Sequence, residues 1–293
     1  MVLSAGGILV LGTQGRVAAA PPTTSALPNS TAQAAKSALA PPPGPDASML
    51  NDLRKAISGS GARVGLVVVD LSYASPRRTA LNADDSFVAG STYKFVALMA
   101  TAERIAAGSL KSTDRLCFRQ SEYEEGWFTD YRPGQCYTRQ TLAVRAGQYS
   151  DNTAGHMLVD GLGGSRVLNQ YAQAHGATNS AFFYPNRTTA GDLAALWTAE
   201  ATGRAGGAPA QQWLYPLLTR TAFESGVPAG VPRSAQVVHK VGWLDDTVND
   251  AALVTAPNTR YVLVIMSDGL GGDPAWALLA RLSAIVWAHT AAP

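Results

Sequence analysis

The chain has 293 residues, 46% of them apolar, enough for one substantial core or for two lobes that share one. Its formal net charge of +2 is carried by scattered basic residues that form no stripe, which argues against a nucleic acid or an anionic membrane surface as partner. Two cysteines are too few for a cysteine metal framework, and beyond the first twenty residues no apolar run is long enough to span a bilayer.

Residues 1–20, MVLSAGGILVLGTQGRVAAA, place a short apolar stretch ahead of Ala18-Ala19-Ala20, the small-residue pattern at which a signal peptidase cuts. The positive start of such a leader is missing, since the first basic residue is Arg16. The segment is read as a signal peptide, and a secreted or periplasmic protein is expected. No cysteine follows the apolar stretch to carry a lipid. Residues 21–46 are rich in Pro, Ala, Ser and Thr and read as a linker, so the folded domain is expected over 47–293.

Met49, Leu50, Leu53 and Ile57 recur at helical spacing within 47–60, and Gly59 and Gly61 end that helix. The β-branched run 62–73 predicts a strand, followed by a turn and a short strand near 79–81. From Ser91 to about Ala107 the period becomes helical, with Phe95, Leu98, Met99 and Ile105 inward and Gly108 as the stop. Cys117 and Cys136 flank one compact loop; in an exported chain they read as a disulfide worth about 3 kcal/mol, the alternative being two buried free thiols. The stretch 142–200 is helical in character, broken by YSDN, GLGG and HGATNSAFFYPNRTT. Strands return at 236–243, 247–256 and 259–268, and an amphipathic helix closes the chain over 274–290. The short connections of the last three strands demand antiparallel pairing, and the order of elements predicts an α/β sheet built from both chain ends with a helical lobe inserted. GLGG occurs at 161 and 269, but neither copy leads from a strand into a helix as a phosphate loop must, so both read as turns.

Three short stretches carry chemistry. Ser91-x-x-Lys94 opens a helix; taken alone it is an N-cap with a surface lysine. Yet residues three apart share a helix face, so the Lys94 amine reaches the Ser91 hydroxyl and, with its pKa lowered by burial and a nearby cation, becomes a base. Of the five lysines only Lys94 has a serine three residues before it. Ser150-Asp151-Asn152 sits in a turn between helices, and Lys240-Val241-Gly242 lies on a late strand. In this order and context the three resemble the class A serine β-lactamases and the penicillin-binding proteins. QYSDNTAGHML, HKVGWLDDTVNDAALV and RTTAGDLAALW extend the likeness over roughly residues 47–290.

That resemblance implies a five-stranded antiparallel sheet flanked by N- and C-terminal helices, an all-helical lobe, and a site between them. It implies Ser91 as the acylated nucleophile, Lys94 as its proton acceptor, and Ser150 as the proton relay to the leaving nitrogen. Asn152 would contact the acyl side chain, and Lys240 would anchor the substrate carboxylate and depress the Lys94 pKa. The Ser91 and Trp243 N–H groups would form the oxyanion hole, with Gly242 leaving room for the substrate. The expected substrate is a small β-lactam or a peptidoglycan-like peptide, handled by a monomer with no metal or cofactor.

Two departures matter. Val241 stands where the family has threonine, so one hydrogen bond to a substrate carboxylate is lost, at about 1.5–3 kcal/mol. Between His175 and Asp192, where class A enzymes carry the glutamate that activates the deacylating water, there is no acidic residue. Glu122, Glu124, Glu125, Asp245 and Asp246 are the candidate substitutes. The aromatics Tyr123, Trp127, Phe128 and Tyr131 of the cysteine loop form either a cleft rim or a small satellite core. The four histidines show no ligand spacing, no G-x-S-x-G elbow exists, and His239 reads as a strand residue. The expected activity is β-lactam opening through an acyl-enzyme with slow deacylation; a DD-peptidase or esterase with the same machinery, or a receptor acylated once, are the alternatives.

Overall fold

The computed structural model describes residues 46–291. The leader-like segment 1–20 and all of the linker except Asp46 lie outside the described residues.

Helix α1 (Ala47–Ile57) is capped by Asp46, whose carboxylate accepts from the Met49 N–H. Strands β1 (Arg63–Asp70), β2 (Arg77–Leu81) and β3 (Ser86–Val88) follow, and a 3-10 turn over Gly90–Thr92 leads into α2 (Tyr93–Ala106). The middle of the chain holds β4 (Arg115–Cys117), β5 (Cys136–Thr138), α3 (Arg139–Gln148), α4 (Asn152–Leu162), α5 (Ser165–Ala174), β6 (Arg187–Thr189), α6 (Ala190–Ala201) and α7 (Gly207–Leu214). The chain ends with β7 (Gln236–Leu244), β8 (Thr247–Ala256), β9 (Thr259–Asp268) and α8 (Gly272–Thr290).

Five strands form one antiparallel sheet in the order β2-β1-β9-β8-β7, so both chain ends supply it, as the sequence predicts. Period-2 alternation sends β1 side chains to two cores. Val64, Leu66 and Val68 pack with Met49 and Leu53 of α1 and with Leu279, Leu282 and Val286 of α8. Val67 and Val69 face the other way, into the core shared with α2 and α6. Because both faces are covered, β1 reads as a continuous apolar run and shows no alternation.

Helix α2 is the axis of the helical lobe: every residue from Tyr93 to Ala102 is buried, and Phe95 stacks on Trp197 of α6 with centroids 3.8 Å apart. The GLGG at 161–164 ends α4, as a turn should, whereas the copy at 269–272 does lead from a strand into a helix, joining β9 to α8, contrary to the expectation for it. Gly163, with φ +110°, ends α4 in the left-handed region, and Gly269, with φ +82°, lies between β9 and α8.

Two features were not legible in the sequence. β3 pairs with β6, and β4 pairs with β5, so the lobe expected to be all helical carries two small ribbons. Three-residue strands are too short to display a period. The second ribbon sets Cys117 opposite Cys136, and the two form a disulfide.

Glu200 on α6 is fully buried, and neither carboxylate oxygen has a hydrogen-bond partner. Burial, reinforced by Glu103, pushes its pKa up from 4.5 to about 7. The folded protein therefore holds a proton that the unfolded chain releases near pH 4.5, and stability declines as pH rises from there through 7. Glu200→Gln is expected to remove about 3 kcal/mol of that decline. Urea unfolding at pH 5 and pH 8 tests this; equal pH dependence in parent and variant would refute it. For the disulfide, thiol titration of denatured, unreduced protein from an oxidising compartment should find no free thiol.

Candidate active site

The 3-10 turn before α2 presents Ser91 half-buried at the mouth of the helix, while Lys94, one turn on, is fully buried. The Lys94 ammonium uses its three donors on Ser91 Oγ at 2.8 Å, the Ser150 carbonyl at 2.6 Å and Asn152 Oδ1 at 2.6 Å. Burial pulls its pKa down from 10.5 to about 7, against the opposing pull of Asp151 and Glu124. Near neutral pH a large fraction of Lys94 is therefore the free amine, able to take a proton from Ser91.

Ser150 has φ +58°, a left-handed conformation that costs a non-glycine residue about 1–2 kcal/mol. The neighbouring Asp151 holds it there. Its backbone N–H donates to the Arg145 carbonyl at 3.0 Å. Its carboxylate caps α4 through the Ala154 N–H and also accepts from the Phe128 N–H and the Tyr131 hydroxyl. One buried carboxylate thus orients the Ser150 turn and clamps the cysteine loop onto it.

Lys240, fully buried on β7, donates to Ser150 Oγ at 2.9 Å and to the Val241 carbonyl at 3.0 Å. Burial and the nearby Lys94 hold its pKa well below the usual lysine range. This corrects one expectation. Lys94 is depressed by burial, whereas the repulsion between the two amines falls on Lys240. The charges of Asp151 and Glu124 oppose the depression of Lys94, which stays the easier of the two to protonate.

Gly242 and the glycine before Ser91 form the contact between the lobes. A side chain at 242 would meet the Ala89 carbonyl at 2.5 Å and Ser91 N at 2.8 Å, and one at Gly90 would meet Trp243 N at 2.8 Å. Gly90 also needs its φ of +55°. Backbone therefore packs on backbone, which brings the Ser91 and Trp243 amides to one place.

Ser91, Ser150, Asn152 and Trp243 line a cleft of about 440 Å³ together with Gly126, Trp127, Tyr149, Phe223, Leu244 and Asp245. A larger hollow of about 510 Å³ beside Arg220, Glu224 and Arg233 contains none of the Ser91 constellation, so volume alone is a poor guide here. Asn152 is occupied at both ends of its amide, donating from Nδ2 to the Glu125 carbonyl at 2.7 Å. Val241 is buried. The cysteine-loop aromatics divide between the two readings. Trp127 is exposed on the cleft wall, Tyr131 is core, Phe128 packs under the Arg145 guanidinium at 4.3 Å, and exposed Tyr123 lines neither.

Phe223 and Leu244 are cleft residues that no motif announced. His239 is more than a strand residue. It is fully buried, with Nδ1 3.0 Å from Asp250 and Nε2 3.1 Å from Glu224. Burial opposes its charge, but the two carboxylates outweigh burial and raise its pKa to about 9. Asp250 also accepts from the Val227 N–H at 2.8 Å, so this network fastens the segment carrying Phe223 to β7 and β8. Among the described residues no group of side chains has the makings of a metal site, and no helix is long and apolar enough to cross a membrane.

A sequence model described as the Beta-lactamase enzyme family matches residues 49–290. Beta-lactamase CTX-M-8 of Citrobacter amalonaticus is 28% identical over 248 residues, spanning 74% of this chain and 80% of that protein. Beta-lactamase OXY-1 of Klebsiella oxytoca is 29% identical over 236 residues, spanning 74% and 78%. Among solved structures, PBP-A superposes with a TM-score of 0.79 at 28% identity, covering 85% of this chain and 98% of that one. An acyl-enzyme complex of a PBP-A mutant with penicillin G gives 0.78 at 29% identity, covering 85% and 98%. The chain belongs to the beta-lactamase enzyme family, and with that membership goes a mechanism of the serine-hydrolase type.

Proposed function

We propose that this protein is an exported serine hydrolase that opens β-lactam amides through an acyl-enzyme on Ser91. The observation that carries the reading is the Lys94 amine, buried, with a pKa of about 7 and 2.8 Å from Ser91 Oγ. Neutral Lys94 takes the hydroxyl proton as Oγ attacks the lactam carbonyl. The Ser91 and Trp243 amides receive the developing oxyanion. As the C–N bond breaks, Ser150 Oγ, 3.5 Å from Lys94 Nζ and 2.9 Å from Lys240 Nζ, delivers a proton to the leaving nitrogen and is recharged by a lysine. Lys240 supports binding of a carboxylate-bearing substrate. Export rests on the reading of residues 1–20 and agrees with the Cys117–Cys136 bond.

A second reading, a penicillin-binding protein that holds its adduct, is favoured by one feature. The segment from Gly176 to Gly191 has no carboxylate. The carboxylate of Asp192, at its end, is committed to the Asn179 N–H and the Ser180 hydroxyl. Deacylation is therefore the slow step in either reading.

Mixing with a penicillin and following intact mass should show a covalent adduct that is absent in Ser91→Ala and forms at least a hundredfold more slowly in Lys94→Ala. Because the free amine is the base, acylation should rise with pH through about 7. A flat rate between pH 5.5 and 8 would exclude Lys94 as that base. With a chromogenic cephalosporin, rapid mixing should give a burst of one equivalent followed by a slow steady rate. A full steady rate without burst or trapped adduct would make deacylation fast and remove the second reading.

A further inference from the structure

The turn of α4 that packs on Lys94 does have a carboxylate beside it, and the cysteine loop supplies it. Glu124 is hinged to the start of α4 by two hydrogen bonds with Thr153: its N–H donates to Thr153 Oγ1 at 3.0 Å, and its carbonyl accepts from that hydroxyl at 2.8 Å. Its carboxylate then reaches one turn along, to within 2.9 Å of His156 Nδ1. Between these two anchors lies Gly155, where a side chain would meet Lys94 Cε and Tyr93 Oη, each at 2.8 Å. Glu124, Lys94 and the Tyr93 hydroxyl therefore converge on a single turn of α4. The ring of His156 packs edge-on against Phe183 at 4.8 Å, and Phe183 packs against Tyr93 at 5.2 Å, which fixes the imidazole that faces Glu124.

Hydrogen-bonding capacity separates Glu124 from its neighbours. Glu122 accepts from the Arg119 N–H and guanidinium, and Asp151 accepts from two backbone N–H groups and the Tyr131 hydroxyl. The Glu124 carboxylate faces only His156 among the described residues, through Oε1 at 2.9 Å, and Tyr93 Oη is a buried polar atom that makes no hydrogen bond. The charge of Glu124 is felt at both Lys94 and Tyr93, which agrees with this placement. Asp245 lines the Ser91 cleft, in the turn after β7.

We propose that Glu124, oriented by His156, is the general base that activates water for hydrolysis of the Ser91 ester. This rests on the acyl-enzyme reading above. Glu124 takes a proton from water as the water oxygen bonds to the ester carbonyl carbon. The tetrahedral intermediate then collapses, the bond from that carbon to Ser91 Oγ breaks, and Oγ recovers a proton from Lys94, which solvent has reprotonated in the acyl-enzyme. The acid product leaves, and the proton on Glu124 passes to solvent. No co-reactant other than water is needed.

Glu124→Gln keeps the shape of the side chain and removes the base. Rapid mixing with a chromogenic cephalosporin, beside intact-mass tracking of a penicillin adduct, separates the two half-reactions. The variant should still give a one-equivalent burst, which also reports a folded site, followed by a steady rate at least tenfold below the parent and an adduct longer-lived by the same factor. An unchanged steady rate in Glu124→Gln overturns the assignment, as does a comparable loss found in Asp245→Asn instead. A parent whose adduct never turns over overturns it as well, since there would be no deacylation to catalyse. Absence of any burst in the parent refutes the acyl-enzyme reading itself, an outcome distinct from the others.

Discussion

The burial of one amine governs the rest of this molecule. Lys94 sits inside the lobe with its three donors fixed on Ser91 Oγ, the Ser150 carbonyl and Asn152 Oδ1. Stripped of water, an ammonium is unstable unless paired, and among the described residues the full charges opposing that penalty lie on Asp151 and Glu124. The result is an amine poised between its two protonation states. Every neighbouring element can be understood as holding these acceptors in place: the 3-10 turn for Ser91, the left-handed Ser150, and the capped start of α4 for Asn152.

Two kinds of contact make that arrangement rigid. Between the lobes, Gly90 and Gly242 let backbone meet backbone, with no side chain available to yield. Within the helical lobe, Asp151 joins the helix cap to the cysteine loop through Phe128 and Tyr131. A single carboxylate therefore sets both the Ser150 turn and one cleft wall. The ribbon and disulfide at Cys117 and Cys136 close the same loop at its base.

On the far face of β7 the charges are arranged differently. His239 lies next to Lys240 in sequence, but strand alternation sends its ring to the opposite side, between Asp250 and Glu224. Two carboxylates there stabilise a buried cation, while Lys240 faces another amine and is driven toward neutrality. Adjacent residues on one strand thus acquire opposite electrostatic fates.

The sequence by itself determined the sheet built from both chain ends, the helical insertion, and the three stretches around Ser91, Ser150 and Lys240. Those are local facts: hydrophobic period, turn chemistry and short spacing along one helix or strand. It also disclosed a missing carboxylate between His175 and Asp192, because absence of a residue type is read directly from the chain. Only the tertiary structure decided which aromatic faces the cleft, that Phe223 joins it, that burial lowers Lys94, and that Glu124 is tied to the turn of α4 that abuts that lysine. Such outcomes depend on which segments distant in sequence share a small volume, and on how completely water is excluded from it. Neither leaves a periodic mark along the chain.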